Sequence, residues 1–512
     1  MPYSMGIDIG TTGTRAIIID ERGNLVGAAT EEYPLYTPKP LWAEQNPEDW
    51  WESAKLAVRK AIATSDISGD EIGGIGLTGQ MHGLVLLDSQ GEVLRPAILW
   101  CDQRTQEQCD WITDKVGAAR LVELTCNPAL TGLTAPKILW VRQHEPEIYA
   151  KARKALLPKD YLRFRLTGEY ATEVSDASGT LLFDVTNRCW SRRLLQLLDI
   201  EEEFLPEAHE SPIVSGAVSS SAAAETGLRV GTPVVGGAGD NAAGALGNGI
   251  VRPGLISSTI GSSGVIFAFT DQPWVDPRGR IHTFCHAVPG KWHVTAVTLG
   301  AGLSLRWFRD ELSQAERSVS ALTGTDPYVY LTEEAEKAPA GSEGLIYLPY
   351  LMGERTPHMD PNAKGVFFGL TARHARAHMV RALLEGVAYS LRDGLEIMRE
   401  IGVPAREIRF SGGGARSVLW RQIQSDVFGM GGLTLNVGEG PSFGSALLAG
   451  VGTGVYASVE EACDATLEVV DRCAPAEENV RRYDDFYRIY CSLYPALKPL
   501  FPVLAGAIDS HC

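Results

Sequence analysis

Asp8 and Asp240 lie far apart in the chain, yet each sits among glycines at the end of an apolar, β-branched run. Asp240 falls in Gly236-Gly-Ala-Gly239-Asp240-Asn241-Ala-Ala-Gly244. A carboxylate there, where side chains are small and backbone is accessible, can accept the proton of a substrate hydroxyl. Taken alone it also reads as the N-cap of a small-residue helix. Asp8 precedes Gly10-Thr11-Thr12-Gly13, a tight hairpin with amides free to face an anion. About 250 residues later the pattern returns, as Leu255 to Ile260, Gly261-Ser262-Ser263-Gly264 and Val265 to Phe269. Thr259 stands there in place of Asp8, an asymmetry that suits a metal-held phosphate better than a pair of ordinary hairpins.

Phosphoryl transfer needs a phosphate cradle, a divalent cation, a base near the acceptor hydroxyl and a closed site. The chain offers candidates for each. Neither hairpin fits the Gly-x-x-x-x-Gly-Lys-Ser/Thr pattern, so this is not a P-loop protein. A third glycine cluster, Gly412-Gly413-Gly414-Ala415-Arg416, marks a strand-to-helix turn where backbone can approach a flat ligand. Arg416 reads either as a phosphate contact or as a surface arginine. Gln80-Met81-His82-Gly83 places a neutral hydrogen-bonding ring at a strand end, suited to a polyol or to a structural role. Asp102 and Arg104 follow the apolar run Ala97 to Leu99 and read as ligand contacts or as a local salt bridge.

These residues need elements to hold them. Pro47 to Ala63 has helical spacing, with Asn46 as cap. Ala375 to Ile401 is a long amphipathic helix, and a further helix is expected from about Ser417. Strands are expected at Ile72 to Thr78, Leu84 to Leu87 and Ile408 to Phe410, giving an α/β class. The repeated hairpin implies a duplicated domain, with the boundary near Gly249 to Gly254. The expected division is residues 1–249, residues 250–495 and a tail at 496–512.

Composition narrows the function classes. The 512 residues carry 46 basic and 63 acidic side chains, a net charge of -17, with no Lys/Arg cluster. Nucleic acid and an anionic membrane surface are therefore excluded as main partners. No apolar stretch exceeds roughly ten residues, too short for a bilayer span. The segment Met1 to Met5 has no basic or apolar leader, and nine scattered cysteines lack a Cys-x-x-Cys, so a cytoplasmic location is expected. His282, Cys285 and His286 lack a second ligand pair at zinc spacing.

Taken together the motifs resemble the FGGY family of carbohydrate kinases, most closely its xylulose-phosphorylating members. The resemblance runs from about residue 5 to 450. It rests on Gly6 to Gly13, Gly79 to Gly83, Arg95 to Trp100, Ala135 to Trp140, Leu157 to Arg163, Gly239 to Gly244, Gly353 to His358, Lys364 to Glu385 and Gly412 to Ser417. It implies two duplicated actin-like, ribonuclease-H-like domains flanking a cleft, and transfer of the ATP γ-phosphoryl to the terminal hydroxyl of a ketopentose. It makes Asp240 the base, and Asp8, with Asp240, the holder of Mg²⁺. It assigns Gln80, Met81, His82, Asn241, Asp102 and Arg104 to the sugar. It assigns Gly10, Thr11, Thr12, Gly13, Arg15, Gly261, Ser262, Ser263 and Gly412 to Arg416 to ATP. Cys101, where Asn is usual, lies beside the expected sugar pocket. The partners are then a sugar and ATP, with a homodimer left open. A kinase of another polyol and an ATP-driven binding module of the actin type are the competing readings.

Overall fold

The computed structural model describes residues 3–509. Two seven-stranded sheets organise them, and five strands of each share one plan. In the first, Tyr3–Ile9, Gly13–Ile19 and Leu25–Glu32 form an antiparallel meander, and Ile72–Gly79 then Pro233–Val235 add in parallel beside Tyr3–Ile9. In the second, Gly254–Ile260, Gly264–Thr270 and Trp292–Thr298 form the meander, and Ala405–Gly412 and Gly432–Leu435 add in parallel. The internal repeat is therefore a repeat of topology. The hairpins are not identical, however. Ile9 pairs with Thr14 across four turn residues, whereas Ile260 pairs with Gly264 across three. Aligned by their glycines, the second hairpin is one residue out of register with the first.

Each outer face is covered by the helix that the spacing anticipates. Pro47–Ala63 buries Trp50, Trp51, Ala54, Ala57 and Ala61 against the first meander, and the Asn46 side chain accepts the Glu48 amide. Arg376–Glu400 buries Val380, Leu383, Leu384, Val387, Leu391 and Leu395 in the second core.

The inner faces are unlike the outer ones. Side chains alternate along a strand. Met5, Ile7 and Ile9 point into the outer core, which leaves Gly6 and Asp8 on the inner face. The neighbouring strand does the same, with Ile75 and Leu77 outward and Gly74 and Gly76 inward. Against these glycines lies helix Pro441–Gly452, which comes from the second half of the chain but packs on the first sheet. The approach is backbone to backbone. A Cβ on Gly6 would sit 1.9 Å from the Ser442 carbonyl oxygen, and one on Gly76 would sit 1.8 Å from that of Ser445. Helix Asp240–Gly247 packs on the other side of Pro441–Gly452, where a Cβ on Gly444 would sit 1.9 Å from the Ala243 carbonyl. One apolar cluster joins both helices to Ile17 and Ile19 of the first sheet and to Phe267 and Phe269 of the second.

The tail beyond residue 495 continues as helix Leu500–Asp509, with Phe501 buried in the second core. Among the described residues no helix is long and apolar enough to cross a membrane.

Gly76→Ala is expected to lower the stability of the fold by about 3 kcal/mol, because backbone rather than a movable side chain meets the new methyl. Gly506→Ala, where nothing lies within 4 Å, is the control and should gain up to about 1 kcal/mol of helix propensity. Thermal unfolding midpoints of the two variants compare these outcomes directly.

Candidate active site

Asp8 ends the inner face of Tyr3–Ile9, and Asp240 opens helix Asp240–Gly247. The structure brings the two carboxylates close enough that the charge of Asp240 acts on Asp8. Burial pushes the Asp8 carboxyl up to about 7, the charge of Asp240 adds to this, and Arg15 opposes it. Burial likewise raises Asp240 to about 6, against the lowering effect of its hydrogen bonds with Asn241, whose Nδ2 donates to Oδ1 at 3.0 Å. The Oδ1 atom of Asp8 is buried without a hydrogen-bond partner. Two adjacent carboxylates with spare lone pairs fit a cation that keeps most of its water and takes further oxygens from a phosphate. Among the described residues no group of three or more His, Cys, Asp or Glu forms a fuller ligand set.

The backbone before Asp240 is fixed from below. The Gly239 amide donates to Ser175 Oγ at 3.1 Å, and Ser175 donates to Glu173 at 2.9 Å. Glu173 belongs to a fully buried ionic cluster in which Lys159 Nζ lies 2.7 Å from Asp160 and 3.3 Å from Asp176. Ser175 has no signal in the sequence, because a short helix start built by a glutamate cap resembles any loop.

Met81 packs under the same peptide: a Cβ on Gly239 would lie 2.9 Å from Met81 Cγ, and Asn241 Nδ2 lies 3.8 Å from its sulfur. His82 has φ 69°, a strained value of the kind concentrated at functional sites. Its carbonyl is held by Thr134 Oγ1 at 3.0 Å and Lys137 Nζ at 2.8 Å. Its Nδ1 lies 2.7 Å from the Gly179 carbonyl, which only accepts, so Nδ1 carries the proton. Burial and the nearby Lys137 charge push the ring down to about 3. The imidazole is therefore neutral, with Nε2 left as an acceptor for a hydroxyl.

Three expected sugar contacts are corrected. Asp102 and Arg104 have side chains 0% and 1% exposed and pair with each other at 2.7 Å. Arg104 also lies over Trp42 at 3.5 Å and bonds Glu44, and Asp102 accepts the Ala43 amide at 2.7 Å. The pair is an internal brace, because the short chain after Leu99 turns inward. Gln80 is buried too. Its amide donates to Gln45 at 2.9 Å and to the Gly10 carbonyl at 3.4 Å, and its carbonyl accepts from Thr11, so it supports the first hairpin.

The second hairpin and the Gly412–Gly414 turn border two adjoining cavities. A cavity of about 610 Å³ is lined by Asp240, Asn241, Thr259, Gly412, Gly413, Ala415 and Arg416 among others. A second, of about 360 Å³, is lined by Gly261, Ser262, Gly413, Gly414 and Arg416, so Gly413 and Arg416 border both. Its other wall comprises Arg306, Tyr328 and Trp420, residues that no motif marks. Gly412 and Gly414 are needed for packing, since their Cβ atoms would lie 2.5 and 2.6 Å from Ile260. On the first hairpin Thr12 is exposed, and the Thr11 hydroxyl accepts from Trp100 Nε1 at 3.0 Å. Arg15 pairs with Glu439 across the cleft.

Two sheets of this repeated plan, a pair of neighbouring carboxylates and adjoining cavities walled by glycine turns of the second half define an actin-like phosphotransferase. The chain belongs to the FGGY family of carbohydrate kinases: the family's N-terminal domain matches residues 3–247 and its C-terminal domain residues 256–453. It is 39% identical over 500 residues to a xylulose kinase of Bacillus subtilis, with 98% of each chain covered. It is 40% identical over 498 residues to one from Escherichia coli, covering 97% of this chain and 99% of that one. The crystal structure of xylulose kinase from Rhodospirillum rubrum is similar at a TM-score of 0.89 and 32% identity, over 98% of this chain and 99% of that one.

Asp102→Ala should cost about 3 kcal/mol by leaving buried Arg104 with Glu44 as its sole carboxylate and the Ala43 amide without its acceptor. Where the variant remains folded, its KM for sugar should stay within about threefold of the wild-type value. Thermal unfolding followed by steady-state kinetics checks both.

Proposed function

We propose that the protein transfers the γ-phosphoryl group of ATP to the terminal hydroxyl of D-xylulose. The observation that carries the reaction is the approach of Asp8, at the end of strand Tyr3–Ile9, to Asp240 on the wall of the cavity of about 610 Å³. The naming of the full-length relatives supports the choice of sugar.

Asp240 accepts the proton of the attacking hydroxyl. Its raised pKa keeps it a better base than an exposed aspartate while leaving it ionised at neutral pH. His82 Nε2 accepts from a second hydroxyl and fixes the sugar chain, with the tautomer set by the Gly179 carbonyl. The Gly10 and Gly261 amides close their own turns on the Gly13 and Ser263 carbonyls; the amides of Thr11, Thr12, Ser262 and Ser263 hold phosphate oxygens, and the cavity beside Gly413, Tyr328 and Trp420 takes the adenosine. Asp8 and Asp240 would hold Mg²⁺ through water. When bound, Mg²⁺ offsets charge on the β- and γ-phosphate oxygens. Closure of the cleft keeps water from competing as the acceptor.

ADP release with Mg-ATP, measured against D-xylulose, D-ribulose, L-ribulose, L-xylulose, D-gluconate, glycerol and no sugar, tests this reading. The expected result is strongest turnover on D-xylulose, reduced about 10²–10⁴-fold in Asp240→Ala. Best turnover on another polyol would move the substrate. ATP binding with no sugar-dependent turnover would overturn the kinase assignment.

The pH dependence follows from the same carboxylates. Both must be ionised to act and both have raised pKa values, so activity is present at high pH and lost as pH falls. Free-enzyme kcat/KM for the sugar should therefore fall below an acid limb near pH 6–7, higher than an ordinary carboxylate would give.

A further inference from the structure

Arg355 stands out among the cations near His82. It is half-buried, and among the described residues its guanidinium makes no ion pair or hydrogen bond. Its backbone, by contrast, is clamped. Glu354 accepts from the Leu299 amide at 3.0 Å, from Thr298 Oγ1 at 2.6 Å and from the Arg355 amide at 2.7 Å, and Thr356 donates its amide to Val297 at 3.0 Å. The Glu354 carboxylate is thus spent on holding the segment to strand Trp292–Thr298, leaving the guanidinium without a counter-ion.

The side chain reaches out of the second half of the molecule into the first. Its Nη2 lies 3.9 Å from the Cβ position of Gly132, which itself borders the Trp100 carbonyl. Its charge acts on both His82 and His282. Near it, Lys137 Nζ donates to the His82 and Gly132 carbonyls, each at 2.8 Å. His282 Nδ1 is engaged with Asn127 at 3.1 Å. A guanidinium is a donor-only fork that matches two neighbouring oxygens, and the donors of Arg355 are unspent. Vicinal oxygens of a polyhydroxy chain held by His82 supply that pair.

We propose that Arg355 is a sugar-binding residue contributed by the second domain, donating to adjacent oxygens of the polyol that His82 holds from the first. Sugar binding then bridges the two domains, and part of its affinity depends on their closure. This rests on the kinase reading above.

Steady-state kinetics and thermal unfolding of Arg355→Met and Arg355→Lys test the assignment. Arg355→Met should raise the sugar KM at least tenfold, by more than any fall in kcat, while the ATP KM stays within twofold. Arg355→Lys, which keeps the charge but loses the fork, should fall between. A sugar KM within twofold of wild type in Arg355→Met overturns the proposal, as does an equal rise in the KM values of both substrates in the folded variants. If Arg355→Met does not fold, the Arg355→Lys ratio decides by the same criterion. If wild type turns over another polyol better than D-xylulose, the substrate assignment fails, but the same ratios on that polyol still judge Arg355. If no polyol is turned over, both readings fall.

Discussion

The close approach of helix Pro441–Gly452 to its neighbours is the constraint on which the site depends. Gly6, Gly76 and Gly444 let backbone meet backbone, so one helix of the second half is seated on the first sheet and against the helix that begins at Asp240. Dispersion falls off steeply with separation, so such contacts hold only when no side chain intervenes. The distance between strand Tyr3–Ile9 and helix Asp240–Gly247 is thereby fixed by main-chain atoms. Asp8 and Asp240 then face one another as a consequence of packing, without needing a bond between them.

Charge is distributed unequally around this frame. The first hairpin carries Asp8 and Arg15 in register, and the equivalent pair in the second is Thr259 and Val265. The duplicated halves have the same topology but not the same work. The carboxylates and His82 come from the first, the cavity beside Gly413, Tyr328 and Trp420 from the second. Buried ionic groups away from the cleft, Lys159 with its carboxylates and Asp102 with Arg104, serve to hold the loops that present the chemistry.

Much of this was legible in the chain itself. Apolar runs around the glycine turns locate the two hairpins, though not the third strand of either meander, and period-3.6 spacing locates the two covering helices, because each buries one face. The glycine-flanked aspartates mark the site because few structural roles need a carboxylate beside several glycines. Reading failed where burial was decided by distant partners. Asp102 and Arg104 look like cleft residues from their strand-end position, and only the fold reveals Trp42 and Glu44 closing over them. Gln80 sits within a telling motif but turns inward to Gln45, a partner too distant in sequence to foresee. Arg306, Tyr328 and Trp420 lie in ordinary amphipathic helices whose open faces become a wall only when the glycine turn at Gly413 is placed opposite.

Trp100 links the two ends of the reaction path in a further way. Its indole N–H donates to the Thr11 hydroxyl on the first hairpin, and its carbonyl borders Gly132 and the approach of Arg355. The ring is partly open to solvent. A phosphate oxygen that draws the Thr11 hydroxyl toward itself reorients the acceptor on which that indole relies, and a domain shift moves the protein surface over the same ring. A ligand that engages the Thr11 hydroxyl would change the surroundings of this indole, and comparison with a Trp100→Phe variant separates its emission from that of the ten other tryptophans.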